Sequence, residues 1–217
     1  MGFAIYEGGC KKPTTSKKYI GKNIGGMYMQ AVTEKRTING LDMKQLFESV
    51  DALRSAPNLG EFQFRLTNRW IDGAVNRSTI KTFYGLAQED TSRQKPFILD
   101  ADEPPILLGK NSAPNPVEYL LTALTSCVTT SMIFHAAARG IELQEVESKV
   151  EGDIDVRGFL GLDESVPKGY KNIRMTFKIK ANATDEQLEE IIRIGPTYSP
   201  VFNTLTKGVK VDVQLDK

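Results

Sequence analysis

Hydrophobic and polar residues alternate with a period of two in several segments, and this alternation predicts β-strands. Phe62, Phe64 and Leu66 share one face of the first such segment. The Asp72-Gly73 pair that follows suits the tight turn of a hairpin. Further strands are predicted over KPFILD (95–100), residues 146–156, residues 173–181 and, near the end of the chain, VKVDVQL (209–215).

Apolar residues at helical spacing predict shorter helices around these strands. Asn39 is a candidate cap for a helix over residues 40–55. Thr184 begins a second helix, which we expect to end near residue 194. Ser199, followed by a proline, predicts the start of a third helix.

The longest predicted helix begins at the sequence NPVEYLLTALTSC and runs from Asn115 to Arg139. Asn115 is the cap, Pro116 takes the first helical position, and Glu118 completes a capping box. Gly140 is the expected stop signal. The helix is nearly uncharged between its ends, so we expect it to be buried at the centre of the protein. Strands before and after such a helix indicate an α+β fold.

Composition and charge limit the classes of partner. The chain has 217 residues, of which 40% are hydrophobic and 25% charged, with a formal net charge of +1. That balance is typical of a soluble globular protein and gives no strong field for nucleic acid or an anionic membrane. No uninterrupted apolar run reaches the length of a membrane span. We therefore expect neither a nucleic-acid nor a membrane partner.

The cysteine and histidine content bears on compartment and cofactors. Two cysteines are too few for a disulfide scaffold, and the N-terminus lacks a signal-peptide pattern, so a cytoplasmic location is expected. One histidine and two distant cysteines make a metal site a poor prediction. No Gly-rich phosphate loop is present, and no cofactor is predicted.

Residues 1–36 are predicted to be a basic N-terminal extension, solvated and partly disordered, that precedes a domain over residues 37–217. A basic arm for a partner is the alternative interpretation. Cys10, in the sequence GGCKK, lies in this extension, and nothing around it would position a substrate.

Cys127 closes the NPVEYLLTALTSC motif and is either a reactive thiol or a small buried hydrophobe. His135 lies eight residues later on a similar face of the helix. Two turns, about 12 Å, are too long for a direct hydrogen bond, so His135 is expected to stabilise the end of the helix instead.

Residues 100–217 resemble the OsmC/Ohr family of osmotically inducible and organic hydroperoxide resistance proteins. The resemblance rests on NPVEYLLTALTSC, its continuation VTTSMIFHAAARGIEL, and SPVFNTL near the end. In the family pattern an Asn-Pro pair precedes the cysteine, which lies eleven residues after the proline. Pro116 and Cys127 keep that spacing, and the strands from about Glu61 onward fit the same domain.

The resemblance implies both a fold and an activity. The implied fold has antiparallel sheets around long central helices in an interlocked homodimer. The implied activity is the reduction of organic hydroperoxides in an oxidative stress response by one cysteine, here Cys127, which becomes a sulfenic acid. A second cysteine of the family then forms a disulfide with the first.

The chain departs from the family pattern at three places. Ser199 replaces the second cysteine, so an external thiol would have to resolve the sulfenic acid. The family's glutamate position is shifted by one residue to Glu118, a candidate catalytic residue that the capping box also explains. The family's arginine position is not an arginine here, and Arg69 and Arg77 are the candidates for supplying the charge that stabilises the thiolate. The chain therefore resembles a less characterised, single-cysteine branch.

The sequence alone is compatible with two functions. The first is a cysteine-dependent peroxidase that acts on organic hydroperoxides through Cys127 and lacks the family's second cysteine. The second is non-catalytic binding of an apolar small molecule at the dimer interface, with Cys127 only lining the pocket.

Overall fold

The computed structural model of the protein describes residues 37–216. The predicted basic extension over residues 1–36, with Cys10, lies outside the described residues. The chain divides into two units. Among the described residues, one contains residues 37–43 and the chain from Leu121 onward, and the other contains Lys44–Leu120. We call them the first and the second unit.

Helices and antiparallel strands both occur in the described residues, which confirms the predicted α+β fold. The helices are α1 (Met43–Ser55), α2 (Pro116–Ala138), α3 (Val156–Phe159), α4 (Asp185–Tyr198) and α5 (Pro200–Lys207). The strands are β1 (Thr37–Ile38), β2 (Leu41–Asp42), β3 (Gln63–Phe64), β4 (Thr67–Asp72), β5 (Val75–Ile80), β6 (Phe83–Gly85), β7 (Gln88–Asp90), β8 (Phe97–Ala101), β9 (Leu143–Ile154) and β10 (Tyr170–Ala181). All of the strand pairs are antiparallel.

The second unit contains two three-stranded sheets, in the orders β4-β5-β8 and β3-β6-β7. Gly73 has a φ of +53° at the turn between β4 and β5, which is the backbone conformation that a tight hairpin turn requires and a glycine tolerates. The predicted Asp72-Gly73 turn is thus confirmed. The KPFILD strand is also confirmed, as β8.

The core of the first unit is built on one face of α2. Leu124, Val128, Met132 and Ala136 recur every four residues and are buried against Ile191 of α4. The β9–β10 hairpin covers the same cluster, with the predicted alternate residues on β10 and with Leu143 and Val146 on β9. The packed members of the hairpin are Leu143, Val146, Ile173, Met175, Phe177 and Ile179. Strand β9 begins three residues earlier than predicted and ends at Ile154, so the predicted strand residue Val156 lies in α3 instead.

The remaining surface of α2 is exposed, although its residues are small or apolar. Thr122, Ala123, Ser126, Thr130 and Phe134 lie on this surface. By length and composition α2 could cross a membrane, which corrects the expectation that no apolar run is long enough. The core helix of a soluble protein passes the same test, and one row of α2 is packed in a protein core.

The predicted cap of the first helix is wrong. Asn39 and Gly40 have φ values of +51° and +79°, as in a tight turn between β1 and β2, and α1 begins only at Met43. The Asn39 side chain instead donates to the carbonyl of Ile141 (2.9 Å) and accepts from the amide of Leu143 (2.8 Å). The Asn39-Gly40 pair therefore forms a turn between two strands and does not cap the helix.

Two predictions near the C-terminus also need correction. Helix α4 continues beyond residue 194 to Tyr198, with Pro196 inside its last turn. The capping box of Thr184 and the helix start at Ser199 are confirmed. The predicted strand over residues 209–215 pairs with no strand among the described residues, and its side chains are exposed.

A close contact between α4 and α2 predicts the effect of replacing Gly195 with alanine. A Cβ at this position would overlap Cγ of the fully buried Met132 and lie 3.2 Å from Cγ1 of Val128. Alanine normally stabilises a helix relative to glycine. Here we expect Gly195→Ala to lower the free energy of unfolding by about 1–3 kcal/mol, because an overpacked core must shift.

Urea denaturation followed by circular dichroism measures this change. Gly169→Ala is the matched control, because nothing lies within 4 Å of a Cβ added at that position. Its stability should be unchanged or slightly raised. A Gly195→Ala variant as stable as this control would contradict the close contact.

Candidate functional site

Cys127 lies in the middle of α2, at the boundary between the buried row and the exposed surface. It is half-buried and carries a free thiol. Val128, the next residue, belongs to the core cluster, while Ala123 and Thr130, four residues before and three after, are exposed. The thiol therefore lies beside the core rather than inside it. It makes no hydrogen bond or ion pair with residues 37–216.

Glu118 forms the predicted capping box at the start of α2. The Asn115 amide donates to Glu118 Oε2 (2.8 Å), and the Glu118 amide donates to Asn115 Oδ1 (2.9 Å). This reciprocal pair satisfies two amides that the helix itself leaves without partners. The capping role is confirmed, and the catalytic role of Glu118 stays a prediction.

Ser199, the position of the missing second cysteine, is a fully buried helix cap. Its Oγ accepts a hydrogen bond from the Phe202 amide at 3.2 Å. The side-chain amide of Asn203 donates to the carbonyls of Pro196 (3.2 Å) and Ser199 (2.9 Å) and so ties the α4–α5 junction together. Serine is well suited to this cap because its hydroxyl accepts the amide hydrogen bond at little cost in volume.

Arg69 and Arg77 are opposite each other on β4 and β5, but their surroundings differ. Arg77 forms a two-pronged ion pair with Asp100, with Nε–Oδ1 at 2.6 Å and Nη2–Oδ2 at 2.8 Å. The same contact lowers the pKa of Asp100 and raises the pKa of Arg77. Arg69 is exposed and has no hydrogen-bond or ion-pair partner within residues 37–216.

Sequence reasoning missed a buried carboxylate, Asp102, in the loop that leads to α2. It accepts hydrogen bonds from the amides of Glu103 (2.8 Å), Lys110 (3.1 Å) and Ser112 (3.0 Å), and from the Ser112 hydroxyl (2.8 Å). These bonds, those from Ser112 foremost, lower its pKa to about 2. No sequence pattern could have identified Asp102, because the prolines of this loop mark where the chain turns and do not show which carboxylate organises the turn.

His135 lies near the C-terminal end of α2 and packs against α4. Its ring stacks on Tyr198 with a centroid distance of 4.3 Å. Arg139 donates to the His135 carbonyl (3.0 Å) and, through Nε, to Glu190 of α4 (3.1 Å). Burial, followed by the nearby charge of Arg139, lowers the pKa of His135. This cluster joins the last turns of α2 to α4. Because its pKa is lowered, His135 is held in place by packing rather than as a cation at the helix end.

Metal-ligating side chains do not gather within residues 37–216: no group of three or more His, Cys, Asp or Glu residues there could hold a metal ion. Asp102, the most enclosed carboxylate, directs its oxygens at amides and a hydroxyl of its own loop. The Asp102 carboxylate is therefore surrounded by hydrogen-bond donors. Their partial positive charges stabilise an anion and would repel a metal cation.

Comparison with known protein families identifies one that resembles the segment around Cys127. Residues 109–214 match the model of a family described as OsmC-like protein. This part of the chain is therefore similar to OsmC-like proteins. The matched segment contains α2 with Cys127, the β9–β10 hairpin, and the α4–α5 junction at Ser199.

The chain is also similar to solved structures, the first of which shows the same fold. An OsmC-like protein from Mycoplasma pneumoniae is 19% identical with a TM-score of 0.50, and the match covers 68% of this chain and 89% of that one. The organic hydroperoxide resistance protein OsmC of Legionella pneumophila is 16% identical (TM-score 0.44; 65% and 89% covered). An OsmC-like hydroperoxide resistance protein from Jannaschia sp. CCS1 is 15% identical (TM-score 0.39; 72% and 92% covered). Comparison with curated protein sequences gave no match.

The lowered pKa of His135 predicts a pH-dependent stability of the protein. The folded state disfavours the charged ring, whereas the unfolded chain protonates it near its ordinary value of 6.5. The stabilisation is therefore fully present above about pH 6.5 and is lost as the pH falls. We expect the wild type to lose more stability than His135→Gln between about pH 7.5 and about pH 5.

Urea midpoints of both proteins at the two pH values measure this difference. Carboxylates titrate in both proteins, so the comparison isolates the histidine. Equal losses in the two proteins would show that His135 titrates alike in the folded and unfolded states.

Proposed function

We propose that this protein reduces organic hydroperoxides through the thiol of Cys127, in a cytoplasmic oxidative stress response. The observation that carries the proposal is the position of Cys127. It lies on α2, eleven residues after Pro116, inside the segment that matches the OsmC-like family. It is half-buried and lies beside the core rather than inside it. The names of the Legionella and Jannaschia proteins agree with such a role.

The proposed chemistry needs one protein thiol and two molecules of an external thiol. The Cys127 thiolate attacks a peroxide oxygen, an S–O bond forms, the O–O bond breaks, and the departing alkoxide takes a proton to become an alcohol. An external thiol then attacks the sulfenic sulfur, forming a mixed disulfide and releasing water. A second external thiol displaces Cys127 from that disulfide. The hydroperoxide is reduced to alcohol and water while two thiols are oxidised to one disulfide.

The environment of Ser199 supports an external resolving thiol. The family's second cysteine would fall at this residue, where a hydroxyl cannot form a disulfide. Ser199 is also fully buried and bonded to the Phe202 amide, so a reductant has no access to this position. We therefore propose that resolution occurs at Cys127 itself.

Arg69 is the better candidate for stabilising the thiolate. Arg77 already forms an ion pair with Asp100 through two hydrogen bonds. The Arg69 side chain has no such partner within the described residues. Glu118 would orient an arginine only by exchanging its capping contact with Asn115. We propose Arg69 as the residue that favours the thiolate and treat Glu118 as its candidate partner.

We also propose that the active form is a homodimer. The exposed surface of α2, which includes Phe134, consists of small, uncharged and apolar residues and lies beside Cys127 along the helix. Exposed apolar surface of this kind is typically covered by a partner. A second copy would cover it and enclose the thiol.

Replacing Cys127 with serine tests the proposal. We expect Cys127→Ser to lower the rate of cumene hydroperoxide reduction, with dithiothreitol as the external thiol, by about 10³-fold or more, because the nucleophile is removed. A sulfenic-acid trap followed by peptide mass spectrometry should label Cys127 in the wild type at near-stoichiometric peroxide.

Cys10→Ser is the matched control, since it removes the other cysteine and should leave the rate unchanged. Turnover that survives Cys127→Ser would overturn the assignment. An unreactive Cys127 in a protein that retains a small apolar molecule in native mass spectrometry would instead favour the ligand-binding alternative.

The two arginines should differ in their effect on the thiol. We expect Arg69→Ala to slow the reaction of Cys127 with peroxide at neutral pH by about tenfold, because a nearby cation favours the reactive thiolate. Arg69→Lys should restore most of the rate. The pH dependence of iodoacetamide alkylation at Cys127 measures the thiolate fraction directly.

Arg77→Ala is the comparison, and we expect a smaller change in the pH profile, because Arg77 already neutralises Asp100. If the two alanine variants had the same pH profile as the wild type, neither arginine would act on the thiol. A larger shift in Arg77→Ala would reverse the assignment between them.

A further inference from the structure

The surface of the second unit carries a cluster of exposed phenyl rings. Phe62, Phe64 and Phe83 pack on one another, with ring centroids 5.5–6.3 Å apart. Phe64 is 72% exposed, Phe62 46%, and Phe97 of β8 56%. We call these four residues the ring cluster. At about 150–250 Å² for a whole aromatic side chain, its exposed parts amount to about 300 Å², and an apolar patch of this size is often an interaction site.

Arg93 connects two rings of the cluster. Its guanidinium carbon lies 5.2 Å from the ring centroid of Phe83 and 5.1 Å from that of Phe97. Both distances are in the range of a cation–π contact. Arg93 Nη1 also donates a hydrogen bond to the carbonyl of Lys81 (3.3 Å). These contacts hold a positive charge among the exposed rings.

Two exposed lysines flank the same rings. Lys81 lies two residues before Phe83, and Lys95 lies two residues before Phe97. Within residues 37–216 neither lysine forms an ion pair, and neither does Arg93. All three charges are therefore available to an anionic partner.

The acidic residues beside the ring cluster leave it slightly positive. Glu89 is already paired with Arg65. Asp90, which accepts hydrogen bonds from the amide and the hydroxyl of Ser92 (2.9 and 2.7 Å), has no cationic partner within 4 Å in the described residues, and neither has Glu61. Three cations against these two carboxylates give an excess of one positive charge.

This combination fits a lipid bilayer better than a nucleic acid. Nucleic-acid affinity depends on several phosphate contacts, and one excess charge supplies little of it. Bases also stack on individual aromatic rings, whereas three of these rings stack on one another. A bilayer accepts apolar side chains below its headgroups, while neighbouring cations contact the lipid phosphates.

We propose that the ring cluster docks on an anionic lipid bilayer. Phe64 and Phe97, its most exposed rings, enter the boundary between headgroups and acyl chains. Arg93 and the two lysines keep their charges at the level of the phosphates, because their long apolar stems can lie along the rings. The net charge of +1 gives no general attraction to a membrane, so docking depends on this local arrangement. The inference is independent of the peroxide chemistry and of the proposed homodimer.

Cosedimentation of the full chain with vesicles tests this docking. The vesicles contain phosphatidylcholine with one quarter phosphatidylglycerol, at low ionic strength. We expect Phe64→Ser to lower the partition coefficient at least tenfold, because the phenyl ring that leaves water is removed. Lys81→Gln combined with Lys95→Gln should also lower it at least tenfold. Pure phosphatidylcholine vesicles should bind the wild type more weakly.

Matched variants remove the same chemical groups elsewhere in the chain. Phe159→Ser removes a phenyl ring of similar exposure (65%) from α3. Lys178→Gln combined with Lys180→Gln removes two lysines from β10. Both controls should bind the vesicles nearly as well as the wild type. Circular dichroism should show every variant folded.

A depth measurement distinguishes insertion from adsorption to the headgroups. Trp70→Phe removes the only tryptophan of the chain, and Phe64→Trp then reports on the ring cluster alone. We expect vesicles with lipids brominated on the acyl chains to cause a clear loss of fluorescence in this double variant. Undiminished fluorescence of the bound protein would contradict insertion.

Absence of wild-type binding to the anionic vesicles would overturn the inference. Equal binding by the wild type and the ring-cluster variants would also overturn it, because the contact would then lie elsewhere, for example in the basic residues 1–36. Binding of single-stranded oligothymidylate through the same residues, without vesicle binding, would overturn it in favour of nucleic acid. An inert Cys127 in a protein that binds vesicles through the ring cluster would refute only the proposed peroxidase.

Discussion

The packing of one row of α2 is the constraint on which the first unit depends. Leu124, Val128, Met132 and Ala136 form a single stripe because residues four apart lie above one another on a helix. The β9–β10 hairpin and α4 cover this stripe, and Gly195 permits α4 to approach so closely that a methyl group would not fit. Every other feature of the unit is oriented by this contact.

The orientation of α2 also fixes the character of its cysteine. A thiol one residue before Val128 is rotated by about 100° from the buried stripe, so it lies beside the core rather than inside it. Ser199 is in the opposite situation, because the junction of α4 and α5 encloses it completely. The two positions that form the disulfide in two-cysteine relatives thus differ here in both chemistry and access, which is consistent with a thiol resolved from outside.

The polar residues near the two ends of α2 have structural tasks that limit their chemical ones. Glu118 and Asn115 satisfy each other's amides at its start, and Asp102 is saturated with donors from the preceding loop. At the other end, Arg139 links the last turn to Glu190. These side chains secure the helix, which leaves the exposed surface of α2 as the region available to a substrate or a second copy.

The sequence by itself determined the local elements: the long capped helix, the Asp72-Gly73 hairpin, the alternating strands β9 and β10, and the helix starts at Thr184 and Ser199. These follow from periodicity, turn residues and caps, which act over a few positions. Only the tertiary structure decided that Asn39 turns instead of capping, that Asp102 organises a loop, and that Arg77 rather than Arg69 is engaged. Asn39 and Arg77 depend on partners distant in the sequence, and the amides around Asp102 are brought together by an irregular loop that no periodic pattern marks. Pattern alone therefore predicted a strand over residues 209–215 but could not supply the neighbour that a strand requires.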